Sequence, residues 1–300
     1  MSITSDEITT QPALWRQAVS LASAAADVLP AAGERACVVG CGTSLFIAQA
    51  YASLREGAGL GETDVYAASE LPEGRDYDVL VAITRSGTTS EVTRALQRTA
   101  AKRTVAITAV LDSPVGAAAG ETIDLAVADE TSVVQTRFAT TALALLRAQV
   151  DPDAVLAAAD DAERALSLAL PVDAGAVEQW SFLGLGWTVG LAHEAALKLR
   201  EAAQAWAESY NAFEYRHGPI SIAAPGRVVW ALSALDVPIA EQIRATGATL
   251  VVPGLDPMAS LVLAQRAMLA IAEARGLNPD TPRNLTRSVV LSQEELEVLT

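Results

Sequence analysis

Apolar residues in the first half of the chain occur in short uninterrupted runs that alternate with longer amphipathic stretches. The runs lack the period-two alternation of a half-exposed strand, which is typical of strands buried on both faces of a parallel sheet. They occupy residues 36–40, 64–69, 78–84, 104–110 and 123–127. The amphipathic stretches, which predict helices, occupy residues 14–29, 43–56, 88–98 and 133–148. Strand and helix repeated in this order predict a doubly wound α/β fold.

The second half of the chain repeats this rhythm after a helical stretch at residues 153–170. Strands are predicted at residues 179–185, 227–235 and 249–253, and helices at residues 190–206 and 257–275. The tail from residue 276 onward opens with Asn278, Pro279, Pro282 and Asn284, which predict an ordered loop. Because 300 residues suit two domains of about 150 residues each, we expect a first domain at residues 1–152 and a second at residues 153–300.

The acidic composition of the chain limits which partners it can bind. The chain has 36 acidic and 21 basic residues, for a formal net charge of −15. Such a chain repels nucleic acid and anionic membranes, so we expect neither as a partner. The N-terminus lacks the regions of a signal peptide, and Cys37 and Cys41 are too far apart along one predicted strand for a disulfide. These features predict a soluble protein of the reducing cytoplasm.

A glycine-rich segment joins the first predicted strand to the helix that follows. Gly40 and Gly42 allow close approach of the backbone to a ligand, and Thr43 and Ser44 add hydroxyls at a helix N-terminus that favours anions. The segment has no Gly-Lys-Ser/Thr sequence, and Leu45 stands where a dinucleotide fingerprint has its third glycine. A plain helix cap is the alternative interpretation.

A second segment of this kind follows the predicted strand at residues 78–84. It contains Thr84, Arg85, Ser86 and Thr89, again between a strand and a helix. Turns at the carboxyl ends of neighbouring parallel strands converge on one crevice, where such sheets bind ligands. Hydroxyls with one arginine suit a phosphate monoester better than a metal ion, so we predict a phosphate site without a metal. Two unrelated helix caps are the alternative.

A third polar group lies in the predicted helix after Gly190. Glu194, Lys198 and Glu201 are spaced i, i+4 and i+7, which places them along one helical face. A solvated, salt-bridged face is the ordinary interpretation of such a triple. The residues between them are small and apolar, however, and His217 follows in a compact Arg-His-Gly-Pro turn. A carboxylate and an imidazole in one pocket would form a general acid–base pair near neutral pH.

The order of these motifs resembles that of the sugar isomerase (SIS) domain enzymes. The matching segments are residues 42–44, 84–89, 194–201 and 217–219. The pattern is similar to the isomerase half of glucosamine-6-phosphate synthase and to its deaminase and deglycase relatives, and it extends over roughly residues 37–288. The resemblance implies two SIS-type domains, each a parallel sheet flanked by helices in a flavodoxin-like three-layer arrangement. It also implies a homodimer with sites shared between subunits.

The resemblance assigns a role to each matching residue. Glu201 would carry a proton between C1 and C2 of a sugar phosphate, supported by Glu194 and Lys198. His217, contributed by the neighbouring subunit, would open the sugar ring. The residues implied in binding the phosphate are Thr43, Ser44, Thr84, Arg85, Ser86 and Thr89, of which Thr84 and Arg85 stand where the family has serine and glutamine. The residues implied in binding the sugar are Gly42, Val133 and Arg287.

Arg287 departs from the family pattern, in which a lysine at this position can form an imine with a ketose. Arginine stays protonated and cannot form that bond. The remaining chemistry is aldose–ketose isomerisation of an (amino)hexose 6-phosphate through an enediol or enolamine, which requires neither metal nor cofactor. Release of nitrogen from the same intermediate, as in an aminosugar-phosphate deaminase or deglycase, stays open.

Two other classes of protein remain as alternatives. SIS domains also serve as non-catalytic sugar-phosphate sensors, although the presence of both Glu201 and His217 favours an enzyme. A dehydrogenase could use Gly184, Gly186 and Gly190 as a nucleotide loop, but no acidic residue at the expected strand end supports that interpretation.

Overall fold

The computed structural model of the protein describes residues 2–298. Packing divides these residues into two compact units, each built around its own sheet. The first-sheet unit comprises Leu14–Glu130, Arg137–Val155 and the segment from Thr286 onward. The second-sheet unit comprises the segment up to Ala13, Thr131–Thr136 and Leu156–Leu285. These units are defined by packing and each includes segments from separate parts of the chain. They do not test the continuous domain bounds predicted from the sequence, which stay a prediction.

Strands and helices alternate along the chain. The strands are β1 (Ala36–Gly40), β2 (Thr63–Ala67), β3 (Tyr77–Thr84), β4 (Ala101–Thr108), β5 (Glu121–Asp124), β6 (Gln179–Gly184), β7 (Ala207–Asn211), β8 (Arg227–Ala231) and β9 (Thr249–Val251). The helices are α1 (Ile3–Thr9), α2 (Gln11–Ala24), α3 (Thr43–Gly57), α4 (Ser90–Arg98), α5 (Pro114–Ala118), α6 (Arg137–Ala148), α7 (Pro152–Ser167), α8 (Thr188–Ala203), α9 (Val237–Ala245), α10 (Pro257–Ala274) and α11 (Gln293–Val298). Among the helices of residues 2–298, none combines the length and apolar character that a membrane span requires. The α/β class with parallel sheets flanked by helices is confirmed.

The first sheet is parallel throughout, with its strands in the order β2-β1-β3-β4-β5. β1 is buried along its whole length and β3 along nearly all of it, as the uninterrupted apolar runs predicted. The register pairs Val39 with Ala82, so β1 and β3 end at the same edge of the sheet. This strand order has its topological switch point between β1 and β3, which is where open α/β sheets bind ligands.

The second sheet contains four parallel strands in the order β7-β6-β8-β9. Three buried aromatic side chains, Trp180, Phe182 and Trp230, pack against one another on this sheet, with ring centroids 6.1, 6.2 and 6.3 Å apart. Helix α8 packs against β6 and β7. The sheet therefore fixes the position of the helix that carries the predicted acid–base residues.

The helix predicted to continue through residue 206 is wrong at its C-terminal end. α8 ends at Ala203, because Gln204 adopts a left-handed conformation with φ of 50° and its N–H donates to the carbonyl of Leu199. The residues beyond it form β7, an edge strand that the sequence analysis missed. β7 includes Glu208 and Asn211, so it lacks the continuous apolar run by which the buried strands were recognised.

Helix α9 was also missed, although the sequence marks its start. Asp236 caps it by accepting a hydrogen bond from the N–H of Ile239 (3.1 Å), and a proline lies in the first turn. These are ordinary N-terminal signals of a helix. Two predicted helices begin later than expected, α4 at Ser90 and α6 at Arg137, because the residues before them form loops.

Replacement of Gly40 by alanine tests the close packing at the end of β1. An added Cβ would lie 2.7 Å from the carbonyl carbon of Ser44 and 2.9 Å from the N of Leu45, so the loop would have to shift. We expect Gly40→Ala to lower the free energy of unfolding by about 1–3 kcal/mol, the usual cost of overpacking. Gly57→Ala is the matched control, since nothing lies within 4 Å of the added atom. Urea denaturation measures both, and equal midpoints would contradict the interpretation.

Candidate functional site

The loop after β1 presents amides and hydroxyls at the N-terminus of α3. Gly42 has a positive φ of 54°, and α3 begins at the next residue. Thr43 and Ser44 lie in the first turn and are buried, at 4% and 3% relative exposure. Burial raises the pKa of the Cys41 thiol in the same loop to about 11, so this thiol stays protonated near neutral pH and is a poor nucleophile. The loop thus offers N–H groups and hydroxyls, which favour an anion.

The loop after β3 is held by its own hydroxyl groups. The N–H of Thr88 donates to Ser86 Oγ (3.2 Å), and the two side-chain hydroxyls are hydrogen-bonded at 3.0 Å. Thr84, the last residue of β3, is buried. Thr89 precedes α4 and makes no side-chain capping bond, so its hydroxyl is not used to close the helix.

The two loops leave neighbouring strands at one edge of the first sheet, because β1 pairs directly with β3. All of the residues predicted to bind phosphate therefore belong to one edge of one unit. They are Thr43, Ser44, Thr84, Arg85, Ser86 and Thr89, with Gly42 beside them.

Arg85 differs from the other residues of this group because its side chain is buried in an ion pair. Its Nη1 lies 3.8 Å from Oε2 of Glu130, and the two side chains are 1% and 0% exposed. Its Nη2 donates to the backbone carbonyl of Arg287 (3.0 Å). The charge of Arg85 is thus compensated inside the unit, and its expected role in binding phosphate stays a prediction.

Arg287 and the residues after it lie along the loop after β3. The guanidinium of Arg287 pairs with Asp129 (2.5 Å) and donates to the carbonyl of Glu130. Farther along, the hydroxyl of Ser288 is hydrogen-bonded to that of Thr88 at 2.8 Å. The tail is therefore attached to the same loop that contains the predicted phosphate hydroxyls.

The acid–base residues of α8 form a compact buried cluster. Nζ of Lys198 lies 2.6 Å from Oε2 of Glu201 and 3.5 Å from Oε1 of Glu194. The side chains of Lys198 and Glu194 are each 1% exposed, whereas that of Glu201 is 19% exposed. The alternative of a solvated, salt-bridged face is thus wrong for Glu194 and Lys198. Lys198 holds Glu201 at the boundary between the interior and solvent.

Glu201 lines an open pocket of about 390 Å³ in the second-sheet unit. Its neighbours there are Arg200, Gln204, Ala205, Arg283, Asn284 and Leu285. Gln204 has φ of 50° and Asn284 has φ of 62°, and in residues 2–298 these are the two non-glycine residues with positive φ. Unusual backbone of this kind is concentrated at functional sites in proteins. The Arg283–Leu285 side of the pocket was not foreseen from the sequence, although asparagine is a residue that adopts this conformation readily.

His217 and Val133 also belong to the second-sheet unit. His217 follows a short 3₁₀ turn and is exposed, and its backbone N–H donates to the carbonyl of Glu214 (2.9 Å). Within the described part of the chain, it makes no hydrogen bond or ion pair with Glu201. The backbone N–H of Val133 donates to the carbonyl of Asp280 (2.9 Å), so its predicted contact with a sugar stays a prediction.

The two lysines of the chain provide a matched test of the buried cluster. Replacement of Lys198 by methionine would leave the buried Glu194 carboxylate beside an apolar side chain. We expect a loss of about 3–5 kcal/mol in the free energy of unfolding, as is usual when one partner of a buried ion pair is removed. Lys102, which is 81% exposed and pairs with Asp78, is the control, and Lys102→Met should change stability little. Chemical denaturation compares them, and an equally small effect at both positions would contradict the buried pairing.

Comparison with known proteins gives a family match for part of the chain and curated relatives for most of its length. Residues 31–150 match the family model of the SIS domain. The isomerizing glutamine–fructose-6-phosphate aminotransferase of Gloeobacter violaceus is 29% identical, over 86% of this chain and 52% of that protein. The counterpart from Methanothermobacter thermautotrophicus is 26% identical over the same shares. The chain thus spans about half the length of the curated relatives that it matches.

Solved structures agree with this assignment at the level of the fold. The glucosamine-6-phosphate deaminase of Thermotoga maritima superposes with a TM-score of 0.80 at 23% identity, covering 97% of this chain and 100% of that one. The tagatose-6-phosphate ketose/aldose isomerase of Escherichia coli gives a TM-score of 0.77 at 17% identity, covering 97% of each chain. The resemblance inferred from the motifs is confirmed: residues 31–150 form a SIS domain, in a chain homologous to the isomerase domain of glutamine–fructose-6-phosphate aminotransferases.

Proposed function

We propose that the chain is an aldose–ketose isomerase acting on an (amino)hexose 6-phosphate, by proton transfer between C1 and C2. The observation that carries this proposal is the position of Glu201. Its carboxylate is held 2.6 Å from a buried ammonium and lines an open pocket, as a base that must reach a substrate requires. The homology to isomerase domains supports the same class of chemistry.

The phosphate of the substrate would bind at the edge of the first sheet where β1 and β3 end. The hydroxyls of Thr43, Ser44, Ser86 and Thr89 and the amides of the two helix N-termini are the proposed ligands. Thr84 borders them at the end of β3. Neutral donors at helix N-termini suit a phosphate monoester because the helix dipole favours negative charge there.

The proposed reaction begins with opening of the sugar ring, for which His217 would transfer the proton. Glu201 would then remove the proton from the carbon next to the carbonyl, which gives an enediol, or an enolamine if C2 carries nitrogen. The protonated Glu201 would return the proton to the adjacent carbon. As a sequence of proton transfers, this reaction requires neither a metal nor a cofactor.

The same intermediate leads to a second product if nitrogen is attached to C2. Return of the proton to an enolamine gives an imine of the ketose, and addition of water to that imine releases ammonia or an amine. A deaminase or deglycase is therefore the alternative enzyme.

Gly42, Val133 and Arg287 are the proposed sugar contacts, and Arg287 cannot form an imine because it stays protonated.

The assembly that we propose is a homodimer of a cytoplasmic chain with two SIS-type domains. The second-sheet unit supports the second domain, because its four parallel strands are flanked by helices. The exposure of His217 supports its contribution to a site in a second copy. The proposed domain bounds remain residues 1–152 and 153–300.

Replacement of Glu201 by glutamine tests the proposed base. The amide keeps the shape of the side chain but cannot accept the proton, so kcat should fall on the order of 10²–10⁴-fold. Wild-type protein should exchange deuterium from solvent into C1 or C2 of a hexose or hexosamine 6-phosphate. Mass spectrometry and NMR measure the deuterium incorporated. Glu241→Gln, an exposed change in α9, is the control and should exchange as the wild type does. Undiminished exchange by Glu201→Gln would move the base elsewhere, and binding without exchange by the wild type would favour a sensor.

A mixture of two inactive variants tests the shared site. If His217 acts in the neighbouring subunit, Glu201→Gln and His217→Ala chains should form heterodimers in which one of the two sites has both groups intact. Activity should therefore return after subunits are exchanged, to roughly a quarter of the wild-type level if chains assort at random and each site works independently. Differently tagged chains establish that exchange took place. Persistent inactivity of purified heterodimers would show that both residues act within one chain.

A further inference from the structure

The cations beside Glu201 are already opposed by carboxylates. Lys198 lies 3.5 Å from Glu194 and 2.6 Å from Glu201, and Arg200 interacts electrostatically with both carboxylates. Proton removal next to a carbonyl breaks the C–H bond, turns its electron pair into the C1=C2 double bond and moves the carbonyl pair onto oxygen. The oxygen thus becomes an enediolate, and a preorganised cation or hydrogen-bond donor is needed to stabilise it.

The guanidinium of Arg283 belongs to the same pocket. Arg283 lines the pocket with Glu201, and its side chain is exposed. Within residues 2–298, its side chain makes no hydrogen bond or ion pair. The residues on either side restrict it, because Pro282 is buried and Asn284 has φ of 62°. The backbone thus positions Arg283 while its charged group stays available to a ligand.

The other two cations of this cluster already have partners. Lys198 lies between two carboxylates. Arg200 lines the pocket but donates from Nη1 to the carbonyl of Ala207 (2.8 Å).

We propose that Arg283 is a further catalytic residue, whose guanidinium binds the oxygen that becomes negative when Glu201 removes the proton. The inference rests on the proposed isomerase function and identifies its electrophile. It also predicts that the enzyme prefers a substrate with polar atoms on both C1 and C2, either two oxygens or an oxygen and a nitrogen. The planar guanidinium of Arg283 could donate hydrogen bonds to both atoms at once. Arg283 would bind the enediolate more strongly than the neutral carbonyl, so its contribution belongs to the transition state.

The experiment compares Arg283→Gln and Arg283→Lys with Arg244→Gln. Arg244 is a matched control because it is an exposed arginine of the same unit, on α9, and does not line this pocket. The rate of solvent deuterium exchange into the sugar phosphate gives kcat and KM. We expect Arg283→Gln to lower kcat on the order of 10²–10³-fold with KM nearly unchanged, as when an oxyanion donor is removed. Arg283→Lys should recover part of that loss, and Arg244→Gln should match the wild type.

A binding measurement gives a second readout that does not depend on turnover. A sugar-phosphate hydroxamate, which presents a planar anion at the reacting carbons, should bind Arg283→Gln on the order of tenfold to a hundredfold more weakly than wild type. Binding of the parent sugar phosphate should change little. Unaltered kcat, or a loss confined to KM, would overturn the role of Arg283 while leaving the isomerase intact. Absence of exchange by the wild type would overturn the proposed function itself, and the inference with it.

Discussion

The direct pairing of β1 with β3 is the constraint on which the architecture of the first-sheet unit depends. Parallel strands that are neighbours in space end at one edge, so the loop after each strand must lie beside the other. Glycine allows close packing within each loop. A Cβ on Gly40 would lie 2.7 Å from the carbonyl carbon of Ser44 in the same loop, and one on Gly87 would lie 2.1 Å from Ser113 Oγ in the segment after β4. The hydroxyl-rich edge therefore follows from the strand order, and glycine sets the backbone path of each loop.

Buried charge has a positional role in both units. Arg85 and Glu130 are paired in the interior of one unit, and Lys198 is enclosed by Glu194 and Glu201 in the other. Removal of such groups from water costs several kcal/mol per ion, so these pairs are weak sources of net stability. Their evident effect is geometric. The first pair ties the strand-end loop to the tail, and the second holds one carboxylate at the edge of a pocket.

The departure at residue 287 has a structural meaning. Arg287 uses two guanidinium nitrogens at once, one on Asp129 and one on the carbonyl of Glu130, while its own carbonyl accepts from Arg85. A lysine would place a single ammonium there and could not reproduce this fork of donors. The substitution therefore changes the chemistry available at this position and strengthens the attachment of the tail.

The sequence alone determined the α/β class, the strands of the first sheet, the two hydroxyl loops and the position of the acid–base triple on one helical face. These features are local, because runs of apolar residues, glycine turns and helical spacing are written in neighbouring residues. The polar edge strand β7 was not predicted, because its residues lack a continuous apolar run. Its pairing with β6 stabilises the strand instead. Burial of Lys198, the ion pair of Arg85 with Glu130, and the meeting of Arg283 with Glu201 in one pocket were decided only by the tertiary structure. Some of these contacts join residues that are far apart in the chain, and the others depend on which elements pack against a helix. Neither can be predicted from a local sequence pattern.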